Sequence, residues 1–165
     1  MLIKLDMSKA FDKINWQLLR EMLLAFGFST SWVNWILALV SSAFFSILLN
    51  GSPTSTFSSS RGIRQGDPLS PYLFITMAKG LGRFISAHVH DSHIQGLTLS
   101  SSDSKNSHLQ FVDDTMLMGI SSVMEARAFK FILRTFGEAP GMNINYLKSQ
   151  FFFFNTPMLT QLRIT

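Results

Sequence analysis

The stretch HLQFVDDTMLM (108–118) places two adjacent acids, Asp113 and Asp114, between two apolar runs. This order predicts two strands joined by a tight turn, with both carboxylates at the turn. Neighbouring like charges repel, so a fold that holds them side by side commonly offsets them with a cation. Mg²⁺ suits this role, because it takes one or two carboxylates together with the phosphates of a substrate. An Asp-Asp pair is also a common solvated turn, so the metal interpretation needs support from elsewhere in the chain.

A third acid lies near the start of the chain. The segment LIKLD (2–6) has a short strand pattern that ends in Asp6. A site that binds two divalent ions clamps the attacking and the leaving oxygen of a phosphoryl transfer. It needs acids from separate strands, because one segment cannot surround two ions that are about 3.5–4 Å apart. Asp6 and the pair Asp113 and Asp114 are therefore candidate ligands of a two-metal site.

An arginine- and glycine-rich loop separates the two acidic segments. Gly62 and Gly66 permit a close approach of the backbone to a ligand. Arg61 and Arg64 carry guanidinium groups, which are suited to phosphate. The loop is therefore a candidate phosphate-binding segment.

Four blocks of the chain resemble the palm of a reverse transcriptase, specifically that of LINE-type non-LTR retrotransposons. They occur in the family's order and spacing, and the likeness covers nearly the whole chain. The blocks are LDMSKAFDKINW (5–16), RGIRQGDPLSPYLF (61–74), HLQFVDDTMLM (108–118) and GMNINYLKS (141–149). The resemblance implies an RNA-directed DNA polymerase, in which a primer 3′-hydroxyl attacks the α-phosphate of a dNTP. The implied partners are an RNA template, a DNA primer and dNTP, and the implied cofactors are two Mg²⁺ ions, with Mn²⁺ as an alternative.

The resemblance also assigns the acids and one aromatic residue. Asp6 and Asp113 match the family's shared metal ligands and catalytic residues. Asp114 is the neighbouring catalytic acid, whose share of the metals is less defined. Phe11 matches an aromatic steric gate that excludes a ribose 2′-hydroxyl and so favours dNTP over rNTP. A core ring is the alternative for Phe11, since most phenylalanines are buried.

Further residues match nucleotide- and template-binding positions of the family. Arg64, Gln65 and Gly66 match a loop that touches the nucleotide base, its sugar and the template strand, and the alternative for them is a plain glycine turn. Lys148 matches a lysine that faces the leaving pyrophosphate, and the alternative for it is a solvated lysine at a strand end.

The pattern of strands and helices predicts a single α+β domain over residues 1–165, with helices packed on one face of a small antiparallel sheet. The resemblance sharpens this to the palm of polymerases, a ferredoxin-like split βαβ fold. We expect helices at about 13–26, 31–42, 71–90 and 123–137, and strands at 2–6, 44–49, 54–57, 94–99, 108–119 (a hairpin) and 148–154.

Composition is compatible with this prediction. The net charge of +4 is a mild basic excess, which permits nucleic-acid binding but is also ordinary for a solvated surface. The chain has no cysteine, which excludes disulfides and thiolate metal sites. Lys4 and Asp6 interrupt the N-terminus before any apolar core of useful length, so we expect no signal peptide and a nuclear or cytoplasmic location.

Residues 22–60 contain no charged residue, and 32–49 is apolar enough to raise the question of a membrane span. Polar residues such as Asn34 and Ser46 interrupt it, and 50–53 has the composition of a turn. We therefore expect a helix followed by a strand there, and no membrane partner.

The resemblance places the fingers, thumb and endonuclease regions of a parent polyprotein largely outside this chain, so the isolated fragment is expected to be weak or inactive. Three positions also differ from what is usual in relatives. Val112 stands in place of alanine, Lys79 in place of an acid, and Pro140 in place of a small residue. The alternative function is a catalytically inactive, retroelement-derived fragment that binds nucleic acid at most.

Overall fold

The computed structural model describes residues 1–7, 9–98, 105–111, 114–138, 144–145 and 147–164. Within these residues, the chain forms ten short strands and six helices. In order they are β1 (Leu2–Asp6), α1 (Ala10–Lys13), α2 (Trp16–Ala25), α3 (Thr30–Ser41), β2 (Phe44–Phe45), β3 (Leu48–Leu49), β4 (Ser52–Pro53), β5 (Phe57–Ser58), α4 (Ser70–His90), β6 (Leu97–Thr98), β7 (Lys105–Asn106), β8 (His108–Phe111), β9 (Asp114–Met118), α5 (Val123–Glu138), β10 (Gln150–Phe152) and α6 (Met158–Ile164).

The central sheet has four antiparallel strands in the order β10-β1-β9-β8. The helix α4 precedes the hairpin β8–β9, and α5 connects this hairpin to β10. Counted along the chain, the sheet strands are therefore joined as β-α-β-β-α-β, which is the split βαβ arrangement of ferredoxin-like folds. The predicted α+β class with a palm-like sheet is confirmed.

One face of this sheet is buried and carries the core. The strand β1 alternates, so that Ile3 and Leu5 are buried while their neighbours are partly exposed. Leu117 of β9 lies on the same face and has no exposed surface. These side chains join one apolar cluster with residues of α4 and α5, including Leu81 and Phe129. Burying each such side chain contributes about 1.5–3 kcal/mol, so the helices are held on this one face, as predicted.

The opposite face of the sheet is open. Leu109 and Phe111 on β8 are 54% and 79% exposed, and Met116 on β9 is 37% exposed. Lys4 pairs with Met116, so it lies on the same face. Asp114 also lies there, because it is two residues before Met116 on β9. This open face therefore presents both charged and apolar groups.

The predicted helix at 13–26 is confined to α2 (Trp16–Ala25), and the short helix α1 (Ala10–Lys13), which was not predicted, precedes it. Asn15 separates them, and its side chain accepts hydrogen bonds from the backbone N–H groups of Gln17 (2.8 Å) and Leu18 (3.3 Å). Asparagine is a strong N-cap, so the start of α2 could have been predicted from Asn15. Gly27, with φ of 91°, follows the end of α2.

The apolar stretch at 32–49 is divided between α3 and the strands β2 and β3. The predicted strands at 44–49 and 54–57 take part in two short antiparallel ladders, β2 with β5 and β3 with β4. The side chain of Thr54 interrupts them, because its Oγ1 accepts a hydrogen bond from the N–H of Ile47 at 3.0 Å. Among the residues that the structure describes, none of the helices combines the length and apolar character that a bilayer crossing requires.

The C-terminal part differs from the prediction in two ways. The last strand is confined to Gln150–Phe152, and the short helix α6 follows it. A helix of seven residues is too short to show a clear period in the sequence, and its stability comes from packing. The packing partner is α5, and Ile164 contacts the apolar core.

Candidate active site

The first and third sequence blocks meet in the sheet. Asp6, the last residue of β1, pairs with Asp114, the first residue of β9. Residues paired in this way have Cβ atoms roughly 4.5–5.5 Å apart and point to the same face. Both acids are partly exposed on the open face. Asp113 lies outside the described residues.

Lys4 lies on the same face as the two acids, since it is two residues before Asp6 on one strand. Its Nζ is 3.4 Å from Oδ2 of Asp114, and the two side chains are 37% and 46% exposed. An ion pair with this exposure contributes at most about 1 kcal/mol. It nevertheless offsets part of the repulsion between the two carboxylates.

The fourth sequence block fixes the backbone at Asp6. The carbonyl oxygen of Asp6 accepts a hydrogen bond from the N–H of Asn145 at 2.9 Å, and its N–H donates to Oγ of Ser149 at 3.3 Å. Met7 also forms an isolated bridge with Ile144. The fourth sequence block therefore binds the end of β1 along the strand edge opposite to the edge that pairs with β9.

The second sequence block is docked on the turn that follows β1. The N–H of Gly62 donates to the carbonyl of Ile14 at 2.8 Å, and the N–H of Ile63 donates to the carbonyl of Phe11 at 2.9 Å. The indole Nε1 of Trp16 donates to the carbonyl of Gly62 at 2.7 Å. Gly62 has φ of 88°, and a Cβ placed there would lie 2.7 Å from the carbonyl oxygen of Asp12. The close approach that Gly62 permits in this structure is to the backbone of Asp12, and the approach to a ligand stays a prediction.

A cavity of about 570 Å³ lies beside this docked loop, lined by Asp12, Val40, Ala43, Phe45, Ser59, Arg61, Gly62, Ile63, Arg64 and Gln65. Nη2 of Arg64 donates to the carbonyl of Leu39 and to Oγ of Ser42, at 3.4 and 3.3 Å. Nε2 of Gln65 donates to Oδ1 of Asp12 at 3.4 Å. Both side chains are exposed, so they are anchored at one end and accessible from the cavity.

The remaining predicted residues occupy different environments. Phe11 is partly buried, and its ring stacks on Phe74 with centroids 4.8 Å apart. Gly66 has φ of 86° and open space around it. Lys148 is exposed in the turn before β10, where its N–H donates to the carbonyl of Asn145 at 3.1 Å. The roles of these residues toward a nucleotide stay predictions.

The model of the reverse transcriptase (RNA-dependent DNA polymerase) family matches residues 1–162. The chain belongs to this family. The sequence blocks quoted above therefore mark a reverse transcriptase domain, and the resemblance is confirmed.

Relatives of this reverse transcriptase domain include proteins of retrotransposable elements. A Pol polyprotein of the type-1 element R2 from Popillia japonica is 28% identical over 89% of this chain and 20% of that protein. The transposon TX1 149 kDa protein of Xenopus laevis is 29% identical over 89% of this chain and 11% of that protein. An uncharacterized mitochondrial protein of Arabidopsis thaliana is 40% identical over 41% of this chain and 56% of that protein. The domain thus spans part of each relative, and a fifth or less of the two element proteins.

Solved structures give the same fold. Apo telomerase from Candida tropicalis, truncated to remove its C-terminal domain, superposes with a TM-score of 0.71 at 15% identity, over 95% of this chain and 31% of that chain. Telomerase from Candida albicans, solved with a fragment of telomeric RNA, gives 0.69 at 14% identity, over 94% of this chain and 27% of that chain. At such identities the likeness establishes the fold of the domain.

The oxygens of the acid pair fit a divalent ion. Asp6 and Asp114 provide hard carboxylate ligands on one open face, and Mg²⁺ fills its other positions with water and substrate phosphate. Within the described ranges, no three His, Cys, Asp or Glu side chains are grouped closely enough to hold a metal.

Sequence reasoning missed three residues of the reverse transcriptase site. Lys4 could have been found from its spacing of two from Asp6 on a strand. Trp16 and Ser149 act through hydrogen bonds to distant backbone groups, and no local pattern in the sequence indicates such bonds.

Proposed function

We propose that this chain is the nucleotidyl-transferring palm of an RNA-directed DNA polymerase, which adds dNTPs to the 3′-hydroxyl of a DNA primer on an RNA template. The observation that carries the proposal is the pairing of Asp6 with Asp114 across neighbouring strands of an open sheet face. Membership of the reverse transcriptase family supports the same reaction.

The proposed cofactors are two Mg²⁺ ions, for which Mn²⁺ can substitute. Asp6 and Asp113 would hold them, with Asp114 as a further ligand. When bound, the ions would supply charge neutralisation at the attacking oxygen and at the pyrophosphate. Lys4 already pairs with Asp114, so this lysine would have to release the carboxylate if Asp114 binds metal.

The other residues would contribute mainly positioning, which can supply much of the barrier reduction in phosphoryl transfer. Arg64 and Gln65 line the cavity beside the docked loop. Their N–H groups would donate hydrogen bonds to the phosphate and base of a nucleotide bound there. Phe11 would limit space at the sugar, and Lys148 would face the pyrophosphate. Affinity for template and primer would rest on phosphate contacts and decrease with salt.

The test is extension of a labelled DNA primer on an RNA template with Mg²⁺ or Mn²⁺. Asp6→Asn and Asp113→Asn should abolish incorporation. The matched control is Asp91→Asn, which changes an exposed acid beyond the end of α4 and should leave incorporation unchanged. Equal incorporation by all variants would refute the assignment of the acids.

Binding of Mn²⁺, followed by water-proton relaxation, tests the same acids without requiring turnover. Asp6→Asn should weaken binding, while Asp91→Asn should not. Template binding without incorporation, together with Mn²⁺ binding that Asp6→Asn does not change, would favour the inactive nucleic-acid-binding fragment instead.

A further inference from the structure

A second cleft lies on the helix-covered side of the molecule, away from the cavity beside the docked loop. It has a volume of about 390 Å³ and lies between the end of α2, one face of α4 and the edge strand β8. Its lining residues are Phe26, Lys79, Gly82, Arg83, Ser86, His108 and Gln110. The candidate active site uses none of them.

The charge of this cleft is positive. Lys79 and Arg83 are four residues apart on α4, so they lie on the same face of the helix. Both are exposed, and neither has an ion-pair partner within the described part of the chain. No acid is among the described residues that line the cleft. Two cations at this spacing repel each other, which destabilises the helix. An anion bound between them would offset this repulsion.

One of the two cations is held in place by an aromatic ring. The guanidinium carbon of Arg83 lies 4.2 Å from the centroid of the Phe26 ring. This cation–π contact restrains the guanidinium beside the Phe26 ring in the wall of the cleft. The N–H groups at its edge remain directed along the plane, which is the geometry that binds phosphate oxygens.

The cleft also contains an unsatisfied donor. Nε2 of Gln110 is the one buried side-chain nitrogen or oxygen without a hydrogen-bond partner among the described residues. Such a group costs about 1–3 kcal/mol. The nitrogen itself is buried, so a rotation of the Gln110 side chain would bring its N–H to the cleft, where an acceptor oxygen from a ligand would offset this cost.

The close contact between β8 and α4 depends on a glycine. A Cβ at Gly82 would lie 2.9 Å from Nε2 of His108 and 3.1 Å from Oε1 of Gln110. The absence of a side chain at Gly82 thus allows both β8 side chains to reach the cleft. Burial lowers the pKa of His108, so its ring is neutral at neutral pH and can still donate one hydrogen bond.

We propose that this cleft binds a phosphate group through Lys79, Arg83 and the side-chain amide of Gln110. The cations would supply the attraction, and the amide would supply a directional donor. The phosphate would come either from the backbone of a nucleic acid or from the free anion, and the chemistry of recognition is the same. The proposal does not depend on polymerase activity.

The first arm of the test titrates the intact chain with inorganic phosphate, at constant ionic strength against chloride, and follows the His108 ring and the Gln110 amide by NMR. Phosphate should cause saturable shifts that chloride does not cause. The double variant Lys79→Gln/Arg83→Gln should bind at least about tenfold more weakly, as expected when hydrogen bonds from charged groups are removed. Gln110→Leu should also weaken binding without loss of stability, because it removes an unpaired donor.

The matched control is Arg127→Gln/Lys130→Gln, which removes the same charge from two exposed positions on α5. It should bind phosphate like the wild type. Shifts that do not saturate, or equal affinity in both double variants, would overturn the proposal.

The second arm identifies the source of the phosphate. Binding of a fluorescein-labelled single-stranded oligoribonucleotide is measured by anisotropy over a range of salt concentrations. If the cleft binds a nucleic-acid backbone, the slope of log affinity against log salt should be shallower in Lys79→Gln/Arg83→Gln, by about 0.7 for each phosphate that this variant no longer neutralises. An unchanged slope, with the first arm positive, would assign the cleft to the free anion.

Discussion

The docking of the arginine–glycine loop can be tested with a matched pair of glycine substitutions. Gly62 and Gly66 have nearly the same backbone conformation, with φ of 88° and 86°. Their surroundings differ, because a Cβ at Gly62 would lie 2.7 Å from the carbonyl oxygen of Asp12 and 3.0 Å from its carbonyl carbon, whereas a Cβ at Gly66 would meet nothing within 4 Å. Comparing Gly62→Ala with Gly66→Ala therefore separates the cost of the close approach from the cost of the left-handed conformation.

The expected magnitudes follow from these distances. Either alanine in a left-handed conformation costs about 1–2 kcal/mol. Gly62→Ala must in addition displace backbone atoms, which are less able to move than a side chain, and overpacking of this kind costs about 1–3 kcal/mol. The alternative is undocking of the loop, which breaks three hydrogen bonds, two from backbone N–H groups and one from Trp16, at about 0.5–1.5 kcal/mol each. Gly62→Ala should thus lose about 2 kcal/mol more than Gly66→Ala.

Urea unfolding followed by circular dichroism measures this difference, which corresponds to roughly 4–8 °C in Tm for a domain of this size. Fluorescence in a Trp32→Phe/Trp35→Phe background, which leaves Trp16 as the sole indole of the chain, gives a second readout, because undocking removes the partner of the Trp16 N–H. Equal losses of stability in the two variants, with unchanged Trp16 fluorescence, would refute the close approach of the loop to the turn after β1.

Three further perturbations have defined outcomes. Glu125 is 4% exposed and accepts hydrogen bonds from two backbone N–H groups. Glu125→Gln should therefore lower the free energy of unfolding by about 1–3 kcal/mol. The control Glu21→Gln, at an exposed position, should change it by less than about 0.5 kcal/mol. Burial lowers the pKa of His108 below its ordinary 6.5, so the unfolded chain binds the proton more tightly than the folded chain does. The free energy of unfolding should therefore be highest above pH 6.5 and fall as the pH decreases toward the folded pKa. His108→Asn should flatten this dependence, measured by urea unfolding between about pH 7 and 5. Lys4→Gln should change the free energy of unfolding by less than about 1 kcal/mol, since the pair of Lys4 with Asp114 is partly exposed. The same variant should strengthen Mn²⁺ binding measured by water-proton relaxation, because Asp114 is then free to bind the ion. Weaker binding would show that Lys4 does not compete with the metal for Asp114.

The strand pattern at 2–6 and the acids at 113–114 were visible in the sequence, and the resemblance to a family predicted that they would meet. The register was not predictable from the residues alone. Leu2, Ile3 and Leu5 are all apolar, so the alternation of β1 is incomplete and a shift by one residue is not excluded by pattern. The pairing of Asp6 with Asp114 is decided by long-range packing, through the fit of Ile3 and Leu5 against the helices.

Other features depend on contacts between segments that are distant in the chain. The sequence indicated that Gly62 is needed for a close approach, but not that Asp12 is the group approached. Arg64 was predicted from its charge, while its hydrogen bonds to the end of α3 follow from how the loop is docked. Local patterns thus predicted the types of residue at the site, and tertiary contacts decided their partners.

The site is assembled mainly by bonds from main-chain groups, and this explains how very different sequences can form the same fold. The carbonyl of Asp6 binds the N–H of Asn145, and the carbonyl of Phe11 binds the N–H of Ile63. These bonds join three of the four sequence blocks, and they require only that the backbone adopts the right path. Side chains elsewhere can then change freely, which is consistent with TM-scores of 0.69 and 0.71 at 14% and 15% identity to the two telomerases. The positions that cannot change freely are those where a side chain would obstruct the path, and Gly62 is the clearest of them.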